Sequence, residues 1–239
     1  TAEMGLPAGK PMWLYPDDLD VDGDMDLVDM WNGWWFANDG KGKFTRCGHR
    51  IFDPEARKRG HPWDGDGEHQ FIDLDNNGFR DITFAGDHST ATGAFLNMGG
   101  GKFVEIEHVN GSRRHRKFGD VDGDYDLDMV RCDKMAEFHR NETLNNALKL
   151  TLVPKSWAET VVGCTVWVYR EGKLGDRDSL IHHRQCFMER GMHRSTVLDT
   201  TLHVGLGSAG AADVCVRFAD GTIREARGVK AKTTATLTQ

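Results

Sequence analysis

One ten-residue pattern occurs three times in this chain and constrains its fold more than any other feature. The copies are DLDVDGDMDL at 18–27, DLDNNGFRDI at 73–82 and DVDGDYDLDM at 120–129. Their starting points lie 55 and then 47 residues apart. Each copy leads into a short apolar segment and then an aromatic-bearing one that ends in Asn, at Asn38, Asn97 and Asn141. Two of these run on through a Gly-rich turn to Phe44 and Phe103. Short aromatic and β-branched runs separated by turn residues predict antiparallel strands. A period near 50 residues is that of a propeller blade.

The loop chemistry follows from charge. Several carboxylates within ten residues repel one another unless a cation sits among them, and alternate spacing in a tight turn aims them inward. An all-oxygen donor set selects a hard cation, and Ca²⁺ accepts six to eight oxygens in flexible geometry. The expected side-chain ligands are Asp18, Asp20, Asp22 and Asp26; Asp73, Asp75, Asn77 and Asp81; and Asp120, Asp122, Asp124 and Asp128. Position seven of each loop, Asp24, Phe79 and Asp126, is expected to add its backbone carbonyl. Up to three Ca²⁺ ions are therefore expected. An EF-hand is excluded, because position twelve holds Asp29, Phe84 and Arg131 rather than Glu, and no amphipathic helix flanks the loops. The bland alternative is that these Asp residues cap turns in water. Three copies feeding strands at one offset favour the metal. The second loop has Asn76 and Asn77 where carboxylates stand elsewhere, and the third has Tyr125 where a sharp turn favours Gly. The Tyr125 loop is expected to bind most weakly or not at all.

Composition sets outer limits. In 239 residues the longest apolar candidate, Val161 to Tyr169, is broken by Gly and Thr, so no membrane span is expected. The net charge of −7 hides an asymmetry: residues 1–143 carry 17 basic and 28 acidic side chains, residues 144–239 carry 13 and 9. A nucleic-acid partner would call for the opposite sign. The five cysteines form no CxxC pair, which argues against a zinc ribbon or thioredoxin motif.

Residues 144–239 also read as β structure. Leu148, Leu150 and Leu152 alternate with polar residues, as do Val214, Val216 and Phe218. Asp220-Gly221 is a hairpin turn signal. Cys164 and Cys186 lie symmetrically about Gly175, so a simple hairpin sets them opposite each other, either as a cross-strand disulfide or as two buried thiols.

These loops resemble the calcium loops of FG-GAP/VCBS repeats, the blades of integrin-type β-propellers. The C-terminal part is similar to the ASPIC/UnbV domain that follows such repeats in cartilage acidic protein-like and bacterial secreted proteins. The matching segments are 145–152, 202–207 and 214–223. Phe218-Ala219 departs from the Trp-Pro common there. The resemblance implies an all-β chain: a partial β-propeller of three repeats over 1–143, then a small β-sandwich-like domain over 144–239. The tail at 1–6 resembles the end of a preceding repeat. The missing blades are accordingly expected from upstream sequence or another chain, because an open arc would leave Trp34 and Phe95 uncovered.

Other constellations weigh less. His61, Asp64, Asp66, Glu68 and His69 form a polar cluster that reads mainly as an interblade loop. Trp31, Trp34 and Trp35 read as packing rather than a sugar platform, and the basic run 113–117 as a solvated edge. His182, His183 and His193 read as surface residues. The leading expectation is an extracellular or periplasmic, calcium-binding, non-catalytic module for adhesion or for recognition of a protein or glycan. Its rivals are a propeller lyase or hydrolase acting on polysaccharide, with the His61–His69 cluster as its site, and an accessory subunit of a larger assembly.

Overall fold

The structure, a computed structural model, describes residues 3–6, 14–30, 32–52, 68–85, 92–106, 116–132, 135–156, 161–186 and 201–239. The described elements are β-strands, apart from one 3-10 turn at Arg177–Ser179. None of them is a helix long and apolar enough to cross a membrane. The chain divides into two compact units. The first holds Thr1–Ile72, Arg80–Lys117 and Val130–Phe138; the second holds Asp73–Phe79, Phe118–Met129 and His139–Gln239.

In the first unit, β1 (Leu14–Asp17), β2 (Asp26–Asp29), β3 (Trp34–Asn38) and β4 (Phe44–Arg46) form an antiparallel up-and-down sheet in chain order. The next four strands repeat that plan: β5 (Glu68–Ile72), β6 (Asp81–Ala85), β7 (Thr92–Asn97) and β8 (Phe103–Ile106). Four-stranded meanders of this kind are propeller blades. Both sheets contribute to one core of Leu19, Val28, Met30, Trp35, Ile51, Phe52, Phe71, Ile82 and Phe95. Each large side chain buried there contributes about 1.5–3 kcal/mol. Phe95, expected to lie uncovered, is 1% exposed and stacks on Phe52 at 5.7 Å. Trp35 is buried as expected. A buried ion pair, Arg80 Nε to Asp17 at 3.3 Å, lies in the same unit, and Arg80 also donates to the Phe71 carbonyl.

A three-stranded sheet, ordered β11-β10-β9, consists of β9 (Arg116–Gly119), β10 (Asp128–Cys132) and β11 (Ala136–His139), its residues shared between the units. In all three sheets the Asp-rich loop joins the first strand to the second.

The second unit carries the C-terminal sandwich. Its strands are β12 (Asn146–Val153), β13 (Thr165–Arg170), β14 (Leu180–Gln185), β15 (Thr201–Gly207), β16 (Ala211–Arg217), β17 (Ile223–Lys230) and β18 (Thr234–Thr238). They form sheets ordered β15-β12-β18 and β14-β13-β16-β17. β12 pairs antiparallel with β15 and parallel with β18. The alternation of Leu148, Leu150 and Leu152, and of Val214, Val216 and Phe218, places all six in the shared core. The Asp220-Gly221 turn closes with Phe218 N–H donating to the Thr222 carbonyl at 2.8 Å. Cys164 and Cys186 do face each other, with Cys186 N–H donating to the Cys164 carbonyl at 2.8 Å, and both are buried thiols not joined in a disulfide.

Two expectations need correction. His182 and His183, read as surface residues, are 2% and 4% exposed. His182 Nδ1 lies 3.3 Å from the Gly78 carbonyl, and His183 stacks on Trp167 at 5.7 Å. Nothing local in the sequence announces burial of a His pair on a strand; tertiary partners decide it. His61, Asp64, Asp66, Trp31, His193 and residues 113–115 lie outside the described residues.

Candidate metal centres

The three loops share one backbone despite different residues. Positions four and six adopt positive φ in each: Val21 (58°) and Gly23 (94°), Asn76 (58°) and Gly78 (97°), Gly123 (85°) and Tyr125 (74°). Two left-handed residues two apart fold the chain back on itself, so that backbone N–H groups point inward. A β-branched or bulky residue at positive φ is strained, by about 1–3 kcal/mol, so Val21 and Tyr125 persist only because the rest of the loop enforces the turn.

The same hydrogen bonds recur. The position-one carboxylate accepts from the position-six N–H: Gly23 onto Asp18 at 3.0 Å, Gly78 onto Asp73 at 2.9 Å and Tyr125 onto Asp120 at 2.9 Å. The position-five side chain accepts from position seven: Asp24 onto Asp22 at 3.1 Å, Phe79 onto Asn77 at 2.7 Å and Asp126 onto Asp124 at 2.9 Å. Asn77 thus serves where Asp stands in the other copies, since its carbonyl oxygen accepts as a carboxylate does. Position nine braces the loop. Asp26 accepts from Leu19 N–H at 3.0 Å and Asn38 N–H at 2.9 Å; Asp128 accepts from Val121 and Asn141 N–H, both at 2.9 Å; Asp81 accepts from Asn97 N–H at 2.7 Å.

The three strand-ending Asn residues complete this frame. Their side-chain amides donate to the position-eight carbonyl of their own repeat: Asn38 to Met25 at 3.0 Å, Asn97 to Arg80 at 3.3 Å and Asn141 to Leu127 at 3.3 Å. Two of them also reach the position-two carbonyl of the preceding loop, Asn97 to Leu19 at 2.8 Å and Asn141 to Leu74 at 2.7 Å. The repeat of Asn was visible in the sequence; its bonding was not.

In the first loop, carboxylate oxygens of Asp18, Asp20 and Asp22 all lie within 4.8 Å of one another. Asp20 Oδ1 is buried without a hydrogen-bond partner. Burial, then the charges of Asp22, Asp18 and Asp24, push Asp20 up to about 6. Burial foremost pushes Asp26 up to about 8. These are the marks of crowded carboxylates that a divalent ion would relieve, and the donor set fits Ca²⁺. In the second loop Asp73 and Asp75 approach one another within the same 4.8 Å, and Asp81 opens β6.

The third loop differs electrostatically. Asp120, Asp122 and Asp128 also converge within 4.8 Å. Here, however, Lys149 Nζ sits 2.8 Å from Asp120, and Arg140 lies 2.7 Å from Asp122 and 3.3 Å from Asp124. Burial would raise Asp120, but Lys149 and the N–H groups of Gly123 and Tyr125 outweigh it and hold the carboxyl below its usual range. Two side-chain cations therefore supply part of the charge that an ion would bring.

Residues 73–79 of the second loop and the whole third loop belong to the second unit with the sandwich, and Asn76 is their link. It is fully buried; its amide donates to Asp126 at 2.8 Å and the Tyr125 carbonyl at 3.2 Å, and its oxygen lies 2.6 Å from His203 Nε2. Gly207 N–H donates to the Asn76 carbonyl at 2.7 Å. Desolvation foremost holds His203 down to about 4. A Cβ at Gly205 would run into the Asp73 carboxylate and come within 2.8 Å of Asn76 Cα. Thr143 and the Asn145 amide both donate to the Asp75 carbonyl at 2.8 Å.

Residues 155–239 match the family described as ASPIC and UnbV, beginning just after β12. No curated protein matches the chain. Among solved structures, a lectin of Agrocybe aegerita, described by specific recognition of non-reducing terminal N-acetylglucosamine, is similar at 14% identity with a TM-score of 0.44. That comparison covers 90% of this chain and 66% of the lectin chain.

Proposed function

We propose that this chain is a calcium-stabilised binding module of a secreted or periplasmic protein, built of FG-GAP/VCBS-type repeats and acting by recognition rather than catalysis. The observation that carries the reading is the first loop: three carboxylates within 4.8 Å, a buried Asp20 oxygen without a hydrogen bond, and a backbone shared with two other loops. Bound ions would fix the strand connections at Asp18, Asp20, Asp22, Asp73, Asp75, Asn77, Asp120 and Asp122, and so hold the blades that present a recognition surface. The C-terminal sandwich, matching ASPIC and UnbV, is the candidate docking piece for a larger assembly.

A glycan array probed in Ca²⁺, beside a turnover assay on the same polysaccharides, tests the choice. Retention of a ligand without product release supports a binding module. Calcium-independent release of sugar products would place the protein among the enzymes.

A further inference from the structure

We infer that Arg46 and Arg50, held against Trp34, form a receptor for the sulfate or carboxylate groups of an acidic polysaccharide. The inference deepens the binding reading above by naming a surface and a ligand class. The guanidinium carbon of Arg46 lies 4.5 Å from the Trp34 ring centroid, and that of Arg50 lies 4.6 Å from it. Both arginines are exposed.

The arrangement is built into the fold. Phe36 of β3 pairs with Arg46 of β4, so Trp34, two residues before Phe36, shares the face that Arg46 occupies. Arg50 sits between anchors. Cys47 N–H donates to the Trp35 carbonyl at 3.1 Å, and Ile51 N–H donates to the Gly33 carbonyl at 2.8 Å. Ile51 and Phe52 then enter the core. The turn that carries Arg50 is thus tied back to the start of β3.

Neither guanidinium is paired with a carboxylate among the described residues, although acidic side chains outnumber basic ones by 28 to 17 over residues 1–143. A guanidinium held over an aromatic ring keeps N–H groups that match an oxyanion through two parallel hydrogen bonds. The two distances to Trp34 set the guanidinium carbons no more than about 9 Å apart. Two permanent cations held that close repel, and an anion between or across them removes the repulsion. A polysaccharide is favoured over an acidic peptide because its charges are fixed on rings. Rigid spacing on both partners lowers the ordering cost of binding.

The test is calorimetric titration of the chain with a sulfated and a uronate oligosaccharide, with a neutral oligosaccharide and poly-glutamate beside them. An acidic oligosaccharide should bind and the neutral one should not. R46Q/R50Q should weaken binding at least tenfold with an unchanged melting temperature, and R46K/R50K, which keeps charge but loses the fork, should weaken it severalfold. Should the Gln pair fail to fold, the Lys pair decides. Equal affinity of these variants, preference for poly-glutamate, or no binding of either acidic sugar would overturn the proposal. The calcium shift in melting is measured on the same samples. Its absence with sugar binding intact counts against the metal reading alone, and the reverse counts against this site alone.

Discussion

The Asn97 side-chain amide donates to the Leu19 carbonyl at 2.8 Å, a bond between residues 78 apart in sequence that joins two successive repeats. The same amide group donates to Arg80 of its own repeat, and the backbone N–H of Asn97 binds Asp81. One fully buried residue therefore holds two successive loops in register.

Asn97→Ala removes a donor from the buried Leu19 and Arg80 carbonyls. The expected loss is about 1–3 kcal/mol of stability, read by urea unfolding. Asn141→Ala, at a half-buried position with the matching bonds to Leu74 and Leu127, should cost less.

Gly205→Ala places a methyl group against the Asp73 carboxylate and within 2.8 Å of the Asn76 backbone, which cannot give way cheaply. Overpacking of this kind costs about 1–3 kcal/mol or more, so the melting temperature should fall clearly. Gly210→Ala meets nothing within 4 Å and serves as the silent control.

The third loop should be the last to fill with calcium, because Lys149 and Arg140 already sit on its carboxylates. The double variant Lys149→Gln with Arg140→Gln should raise its calcium affinity on the order of tenfold, since each lost cation had opposed the ion's charge. Native mass spectrometry across a calcium titration would show the third ion arriving earlier. An unchanged filling order would contradict the role given to the two cations.

Much of this was legible in sequence, for a physical reason. Repeated Asp spacing and alternating apolar residues are local patterns, so the loops, the strands that flank them and the β12 and β16 core faces could be read directly. Tertiary pairings could not. The contact of Asn76 with His203 spans 127 residues, and Lys149 meets Asp120 only once β12 is in place. Tyr125 stands where a sharp turn favours Gly; the third loop has its Gly at position four, and Tyr125 adopts the left-handed turn regardless. The burial of His182 and His183 follows from packing that no period in the chain encodes.

The pH response separates protons from metal. Without calcium, Asp20 and Asp26 have folded values of about 6 and about 8, above 3.8. Their contribution is fully present below pH 3.8 and is lost as pH rises through those values. His69 and His203, both held at about 4 rather than 6.5, act oppositely, adding stability as pH rises from 4 to 6.5. The histidine effect is common to both metal states and cancels in their difference. The melting-temperature gap between calcium-loaded and chelated protein should therefore widen from pH 5 to pH 8, as protons leave the carboxylates that the ion requires.

The central claim, that these loops hold calcium in the folded chain, is tested most directly by thermal unfolding in EDTA and in excess Ca²⁺ at pH 7.5. An ion at a hundredfold excess over its dissociation constant adds about 2.7 kcal/mol. For a chain of this size that corresponds to a rise of about 5–10 °C. Asp20→Asn, which alters the first loop alone, should remove part of that rise. Superimposable melting curves in EDTA and in Ca²⁺ would contradict the account.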